Sequence, residues 1–327
     1  MTTSIASAPT DFDVSRAILR KATGDKPVRT EKIQPLEKSL AEHLLGETTS
    51  LQVADIGGQP FGFVTRELLL FDAAQGSREQ TQWLVTFCMI CNAGALFSSV
   101  VEGKTYHFTP GGIYNAMAIL RDMETGSYWD VIGGLCLHGP AKGKQLQRMG
   151  TLRHMLARDA LIAYPSLQLC SLALTEKERE ESEEEDQFRQ AARPEWSDRL
   201  ANTLTYEDTR LPRLDMGLGV WTARSARYYP FMTINSRDDF ALDTLDGRNL
   251  LVYIDRESRI PDAIFTSATS ASWYGDILRL NNGLRVQHGT VFDAQGDIVK
   301  VERPLQLFQR WYGFSIMFRG CEIFGRS

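Results

Sequence analysis

The sequence predicts a β-rich α+β protein of two similar, mostly-β halves joined by a charged helix. Three observations predict it. Short apolar runs punctuated by Gly, Asn and Pro fill both halves. A glutamate-rich stretch separates them, and the segments on either side of it echo each other in order. The boundaries fall at 1–48 for an N-terminal arm and helix, 49–174 for the first β-rich unit, 175–210 for the charged linker and 211–327 for the second unit.

Residues 1–30 read as a polar arm with a short helical candidate at Val14–Lys21. A helix is expected over Leu36–Leu45, with Pro35 before it, Leu36, Leu40 and Leu44 on one face and Gly46 past its end. Strands are expected at Gln52–Ile56, Phe61–Val64, Trp83–Cys88, Ala95–Val101 and Thr105–Thr109. Trp83–Cys88 is apolar on both faces, which marks a central strand. Glu102-Gly103-Lys104 and Met123–Ser127 are turns, and Leu152–Tyr164 reads as a helix stopped by Pro165. Thr175 and Glu178 make a capping box for a helix over Thr175–Ala192, polar on nearly every side. Strands resume at Leu218–Ala223, Leu250–Ile254, Ala263–Thr266, Leu278–Leu280, Leu284–Gln287, Thr290–Phe292 and Ile298–Val301, and Trp311–Phe318 closes the chain as helix or strand.

The echo between halves is specific. Gln82–Phe87 matches Asn249–Ile254, Gly94–Phe97 matches Asp262–Phe265, and Glu102-Gly103-Lys104 matches Asn282-Gly283-Leu284. On this alignment Asp255 and Ser258 stand where the first half has Cys88 and Cys91, so the shared framework does not need the cysteines.

Of the 327 residues, 43% are hydrophobic and 24% charged, which supports a sizeable core. The net charge of -5 is concentrated in Glu176–Asp186, with eight acidic and two basic residues. No basic footprint for nucleic acid and no membrane-spanning apolar run is present. Without a secretory leader, five cysteines point to reduced thiols and a cytoplasmic location.

The chemistry concentrates between Trp83 and Pro140. Cys88 and Cys91 form a Cys-x-x-Cys at a strand end. Three readings stay open. With Cys136 and His138, two apart on one strand face, the pair completes a donor set for zinc or iron. As a dithiol it is redox-active or nucleophilic, given a lowered thiol pKa. Cysteines are also simply small buried apolar residues. Tyr114 and Asn115 follow Pro110-Gly111-Gly112 on a tight loop, where Asn115 bonds backbone or lines a site. Asp130 offers an acid/base or turn carboxylate, Trp129 a pocket wall or core ring, and His107 a substrate contact or a structural group. His43, His154 and His288 have no acidic or thiol partner at metal-like spacing. Elbow, metalloprotease, dinucleotide and P-loop motifs are absent from the sequence.

Residues 83–143 resemble a bacterial family of unknown function with a Tyr-Cys-Pro-x-Cys-Gly core, then Leu-Tyr-Asn, acidic-x-x-Thr-Gly-Ser-x-Trp and Gly-Pro-x-x-Gly segments. The matching residues are Phe87–Asn92, Ile113-Tyr114-Asn115, Glu124–Trp129 and Gly139–Gly143. Ala226–Pro230 resembles a further Ala-Arg-Ala-Tyr-Pro strand in a second copy. The chain departs from the pattern at Leu70-Phe71-Asp72, where the family has Trp-His-Glu, and at Met89, Asn92 and Asp130-Val131. The resemblance implies architecture and candidate positions, and no reaction.

Two functional readings follow. One is an enzyme with a thiolate or Cys-ligated metal site acting on a small molecule, using Cys88, Cys91, Tyr114, Asn115 and Asp130 with Trp129 and His107 beside the ligand. The other is a non-catalytic small-molecule-binding or protein-assembly module built on a degenerated site, favoured by the altered positions Phe71, Asn92 and Val131.

Overall fold

Gly57 and Gly58 take φ of 62° and 81°, the left-handed pair that a two-residue hairpin turn requires, and join Ser50–Ile56 to Gln59–Val64. Residues 12–20, 30–178, 180 and 196–326 are described in this computed structural model. Helix Thr65–Phe71 follows directly and ends where Asp72 turns to φ 57°. The strands Ala73–Arg78, Thr81–Cys88 and Ala93–Ser98 then form an antiparallel meander. Its middle strand is buried on both faces from Trp83 to Cys88, as its two apolar faces predict. Each fully buried Val, Leu or Phe there contributes about 1.5–3 kcal/mol. Later in the chain Arg153–Leu156 pairs back onto Ser50–Ile56, helix Ala157–Ala163 follows, and Gln168–Leu172 runs parallel to Gln59–Val64.

The second half runs through the same order. Met216–Trp221 and Ala226–Pro230 pair antiparallel, helix Phe231–Asn235 follows, and Phe240–Leu245, Arg248–Ile254 and Pro261–Phe265 form a meander. Leu305–Arg310 returns onto Met216–Trp221, helix Trp311–Met317 follows, and Glu322–Ile323 runs parallel to Ala226–Pro230. The meander registers agree residue for residue. Ala73 faces Thr86 as Phe240 faces Tyr253, and Phe87 faces Gly94 as Ile254 faces Pro261. Asp72 O accepts the Phe87 N–H at 2.8 Å, and Asp239 O accepts the Ile254 N–H at 2.8 Å. By register Asp255 and Ser258 take the places of Cys88 and Cys91. The sequence match of Gly94 with Asp262 is one residue out, because Gly94 corresponds to Pro261.

Each half adds its own sheet. The first carries Phe108–Tyr114, Met117–Asp122, Tyr128–Asp130 and Cys136–His138 in that order, edged by Ile18–Leu19. The second carries the meander Ala271–Tyr274, Ile277–Leu280, Arg285–Gln287 and Thr290–Phe292. One buried cluster joins the two halves, running from Leu84 and Cys88 through Trp129 to Trp311 and Phe314.

Several expectations shift. Leu152–Tyr164 divides into strand Arg153–Leu156 and a helix from Ala157, because pairing with Ser50–Ile56 overrides local helix preference. Val14–Lys21 becomes a 3₁₀ turn at Val14–Arg16 and strand Ile18–Leu19, and the Leu36 helix stops at Ala41. Trp311–Met317 is a helix, while Ile298–Val301 makes one isolated bridge, Phe292 to Ile298. The Thr175–Glu178 capping box forms, with Thr175 N–H and Oγ1 both 2.7 Å from the Glu178 carboxylate. Most of the charged helix beyond it lies outside the described residues. No described helix is long and apolar enough to cross a membrane.

Candidate functional site

Cys88 ends the central strand, and Met89–Asn92 turn the chain back to Ala93. Asn92 closes the turn at φ 61°, a conformation that Asn tolerates. Its Nδ2 donates to Phe308 O of the second half at 2.9 Å. Both sulfurs are completely buried. The Cys88 sulfur accepts the Ala118 N–H at 3.3 Å and the Cys91 N–H at 3.5 Å.

Burial alone would push the Cys88 thiol up. The hydrogen bonds from the Cys91 thiol and from the Ala118, Cys91 and Ile90 N–H groups outweigh it and bring the pKa down to about 7. Cys91 goes the other way: burial, then the hydrogen bond to Cys88 and its charge, hold the thiol well above its usual range. Of the two, Cys88 is the more readily ionised thiol and Cys91 the one that holds its proton more tightly. Asp72 is also held well above the usual carboxylate range, by burial first and then by the neighbouring Cys88 charge. The second half closes the site. Arg310 Nη1 donates to Ile90 O, and its N–H to Cys91 O at 3.0 Å. Helix Trp311–Met317 presents Gly313, where a Cβ would come within 3.1 Å of the Cys91 Cβ.

The four-ligand metal set does not assemble. Among the described residues, the one group of three or more His, Cys, Asp or Glu donors within 4.8 Å of one another is Glu257, Asp276 and His288. Cys136 and His138 sit on the edge strand, two strands from the Ala118 that touches Cys88, a separation of about 10 Å. Burial pushes the Cys136 thiol up to about 11, and the His138 ring stacks on Phe12 with centroids 5.2 Å apart. Among the described residues the two thiols gather no further protein donors, and two thiols alone do not fit a structural zinc or iron centre. His288 does have acidic neighbours, brought by the fold rather than by spacing: Asp276 at 3.6 Å, Glu257 at 3.7 Å and Asp159 at 3.8 Å. Arg158 already pairs with Glu257 at 2.7 Å.

The remaining candidates all make contacts within the fold. Pro110-Gly111-Gly112 is a bulged stretch inside a strand, and the tight turn is Asn115-Ala116. Asn115 Oδ1 accepts the Thr205 N–H and hydroxyl, each at 2.8 Å. Tyr114 is buried, stacks on Phe12, and its hydroxyl accepts the Asp13 N–H at 3.0 Å. Asp130 accepts the Ile132 and Gly133 N–H groups at 2.8 and 2.9 Å, as a turn aspartate does. His107 latches Glu124 through Nδ1 at 2.7 Å. Trp129 is fully buried against Tyr106 and Phe108.

Sequence reasoning missed Asp122. Its buried carboxylate accepts Thr125 N–H, Thr125 Oγ1, Ser127 N–H and Trp129 Nε1, at 2.5, 2.9, 3.2 and 2.8 Å. Ser127 Oγ then accepts the Ala141 N–H at 3.0 Å. The acid of the acidic-x-x-Thr-Gly-Ser-x-Trp segment is thus Asp122, three residues before Thr125, and not Glu124. Counting the spacing back from Thr125 would have found it.

A family pattern described as a protein of unknown function, DUF3179, matches residues 41–309. The chain belongs to that family. The match extends into the second unit and ends at residue 309, before helix Trp311–Met317. No curated protein and no solved structure matches the chain. Membership in DUF3179 brings no activity with it, and the chemistry rests on the residues themselves.

Proposed function

We propose that this chain carries a thiol-based site, with Cys88 as thiolate and Cys91 as its protonated partner, serving two-electron exchange with a small molecule. The observation that carries the reading is the convergence of the Ala118 and Cys91 N–H groups on the buried Cys88 sulfur. The second half supports it. In the corresponding turn the Asp255 carboxylate accepts the Glu257 N–H, the Ser258 N–H and the Ser258 hydroxyl at 3.1, 2.9 and 3.0 Å. Cys88 receives one of the same three donors, the Cys91 N–H at 3.5 Å, and adds the Ala118 N–H at 3.3 Å. The corresponding registers also support a duplicated unit whose first copy gained, or kept, the thiols.

With a small disulfide such as oxidised glutathione as the two-electron acceptor, the Cys88 thiolate displaces one thiolate to form a mixed disulfide, and Cys91, losing its proton, displaces the second to close the Cys88–Cys91 disulfide. Equilibration with oxidised and reduced glutathione, followed by alkylation and mass spectrometry, tests this. The expected result is reversible pairing of Cys88 with Cys91 while Cys136, Cys170 and Cys321 stay alkylatable after unfolding. Failure of the pair to oxidise across the whole glutathione range contradicts the reading.

A non-catalytic binding or assembly role is the second reading. The observation favouring it is that Asn115, Asp130 and Trp129 spend side-chain polar atoms on hydrogen bonds inside the fold.

A further inference from the structure

Both sulfurs are fully buried, so nothing reaches Cys88 unless part of the fold moves. We propose that Trp196–Thr205 is a latch over the dithiol, and that its release from the Asn115-Ala116 turn opens the site. This inference rests on the thiol reading, since it assigns how that site is gated.

The turn explains why a latch is needed. Asn115 and Ala116 both lie in the left-handed region, at φ 54° and 53°, and join two strands whose last pair is Tyr114 with Met117. Alanine has no side-chain group to favour that conformation, so bonds from outside hold it. Ala116 N–H donates to Thr203 Oγ1 at 2.8 Å, and Ala116 O accepts the Tyr312 hydroxyl at 2.7 Å. Asn115 N–H donates to Thr203 O at 3.1 Å, and its side chain accepts both Thr205 donors. Two residues on, Ala118 N–H sits on the Cys88 sulfur. Trp196 packs edge-on against the Tyr312 ring at 4.8 Å, and Leu204 belongs to the same buried cluster as both cysteines.

The two ends of this segment are held differently. From Asp208 onward it is tied to the core: Trp311 Nε1 donates to Asp208 O at 2.7 Å, Trp311 N–H to Asp215 O at 2.8 Å, and the Tyr228 hydroxyl to Asp215 O at 2.8 Å. The earlier end is held by the turn, by the exposed Arg16, whose Nη1 donates to Leu204 O at 2.7 Å, and by side-chain packing of Trp196, Leu200 and Leu204 on the buried cluster. Its short helix, Asp198–Ala201, buries no residue. In the latch the moving end is Trp196–Thr205, hinged near Tyr206, since Asp208 and Asp215 carry the backbone bonds to the core. Such local openings lie below global unfolding in free energy.

The test is the rate of Cys88 alkylation by iodoacetamide in the full chain, located by mass spectrometry, across sub-denaturing guanidinium concentrations. Asn115→Gly keeps the left-handed backbone and removes the Thr205 acceptor. Arg16→Ala, at an exposed site, supplies the same comparison should the first variant fold poorly. The expected result is a rate raised about ten-fold, with a guanidinium dependence well below that of global unfolding. A rate equal to wild type in both variants, or a dependence equal to that of global unfolding, overturns the latch. The pH midpoint of the same rate reports on the thiolate separately: a midpoint at the ordinary cysteine value removes the thiol reading while the ratio between variants still decides the latch.

Discussion

The Cys88–Cys91 turn and the Asp255–Ser258 turn are the same backbone solution with different chemistry. Each ends the central strand of a meander and closes on a left-handed residue, Asn92 at φ 61° and Arg259 at φ 57°. Each aims backbone N–H groups at the side chain of its first residue, Cys91 N–H at Cys88 and the Glu257 and Ser258 N–H groups at Asp255. In the second half an oxygen anion meets those donors, which is what such turns ordinarily use. In the first half sulfur meets them, inside the cluster that joins both halves. The difference teaches that sulfur is not required to build the turn. What the first half adds is an ionisable, oxidisable atom at a place shaped for negative charge.

The comparison breaks most visibly at Asp255. Asp255→Ala leaves three donors without an acceptor at a buried position, and the expected loss is about 2–3 kcal/mol in urea unfolding. A loss below about 0.5 kcal/mol would mean the carboxylate does not organise its turn, and the parallel with Cys88 would go with it.

A pH dependence is the next largest effect. The folded Cys88 thiol ionises near 7, below its unfolded value of about 8.5. The stabilisation is therefore complete above the unfolded value and is lost as pH falls through 7. Stability should rise by about 1.3 kcal/mol between pH 7 and 8.5. Above that range Cys91, held protonated in the fold, ionises more readily in the unfolded chain and reverses the gain. Subtracting the pH profile of Cys88→Ser isolates this rise, and matching profiles would deny the lowered thiol.

The smallest effect sharpens the pairing of the two turns. Asn92→Gly and Arg259→Gly each relieve a left-handed residue, and each should change stability by no more than about 1 kcal/mol. Asn92→Gly should be the less favourable of the two, since it also removes the bond to Phe308 O, which differential scanning calorimetry of the pair would show.

Much of this comparison was legible in the sequence. The central strands announce themselves by being apolar on both faces, and the correspondence of Asp255 and Ser258 with the cysteines follows from aligning Trp83–Phe87 with Leu250–Ile254. The capping box at Thr175 is local chemistry and reads directly. Long-range pairing was not legible. Arg153–Leu156 becomes a strand only because Ser50–Ile56 lies beside it, and Cys136 is two strands removed from the thiols although its spacing to His138 suits a metal. The role of Asn115 needed the Thr203–Thr205 segment, some ninety positions further on, to be placed against it. The His288 group likewise draws on residues from both halves.

The most direct test of the central claim is the ionisation of Cys88 itself, followed by thiolate absorbance near 240 nm as the difference between wild type and Cys88→Ser. The account predicts a single transition close to pH 7. A transition at or above about 8.5, the ordinary cysteine value, would contradict it.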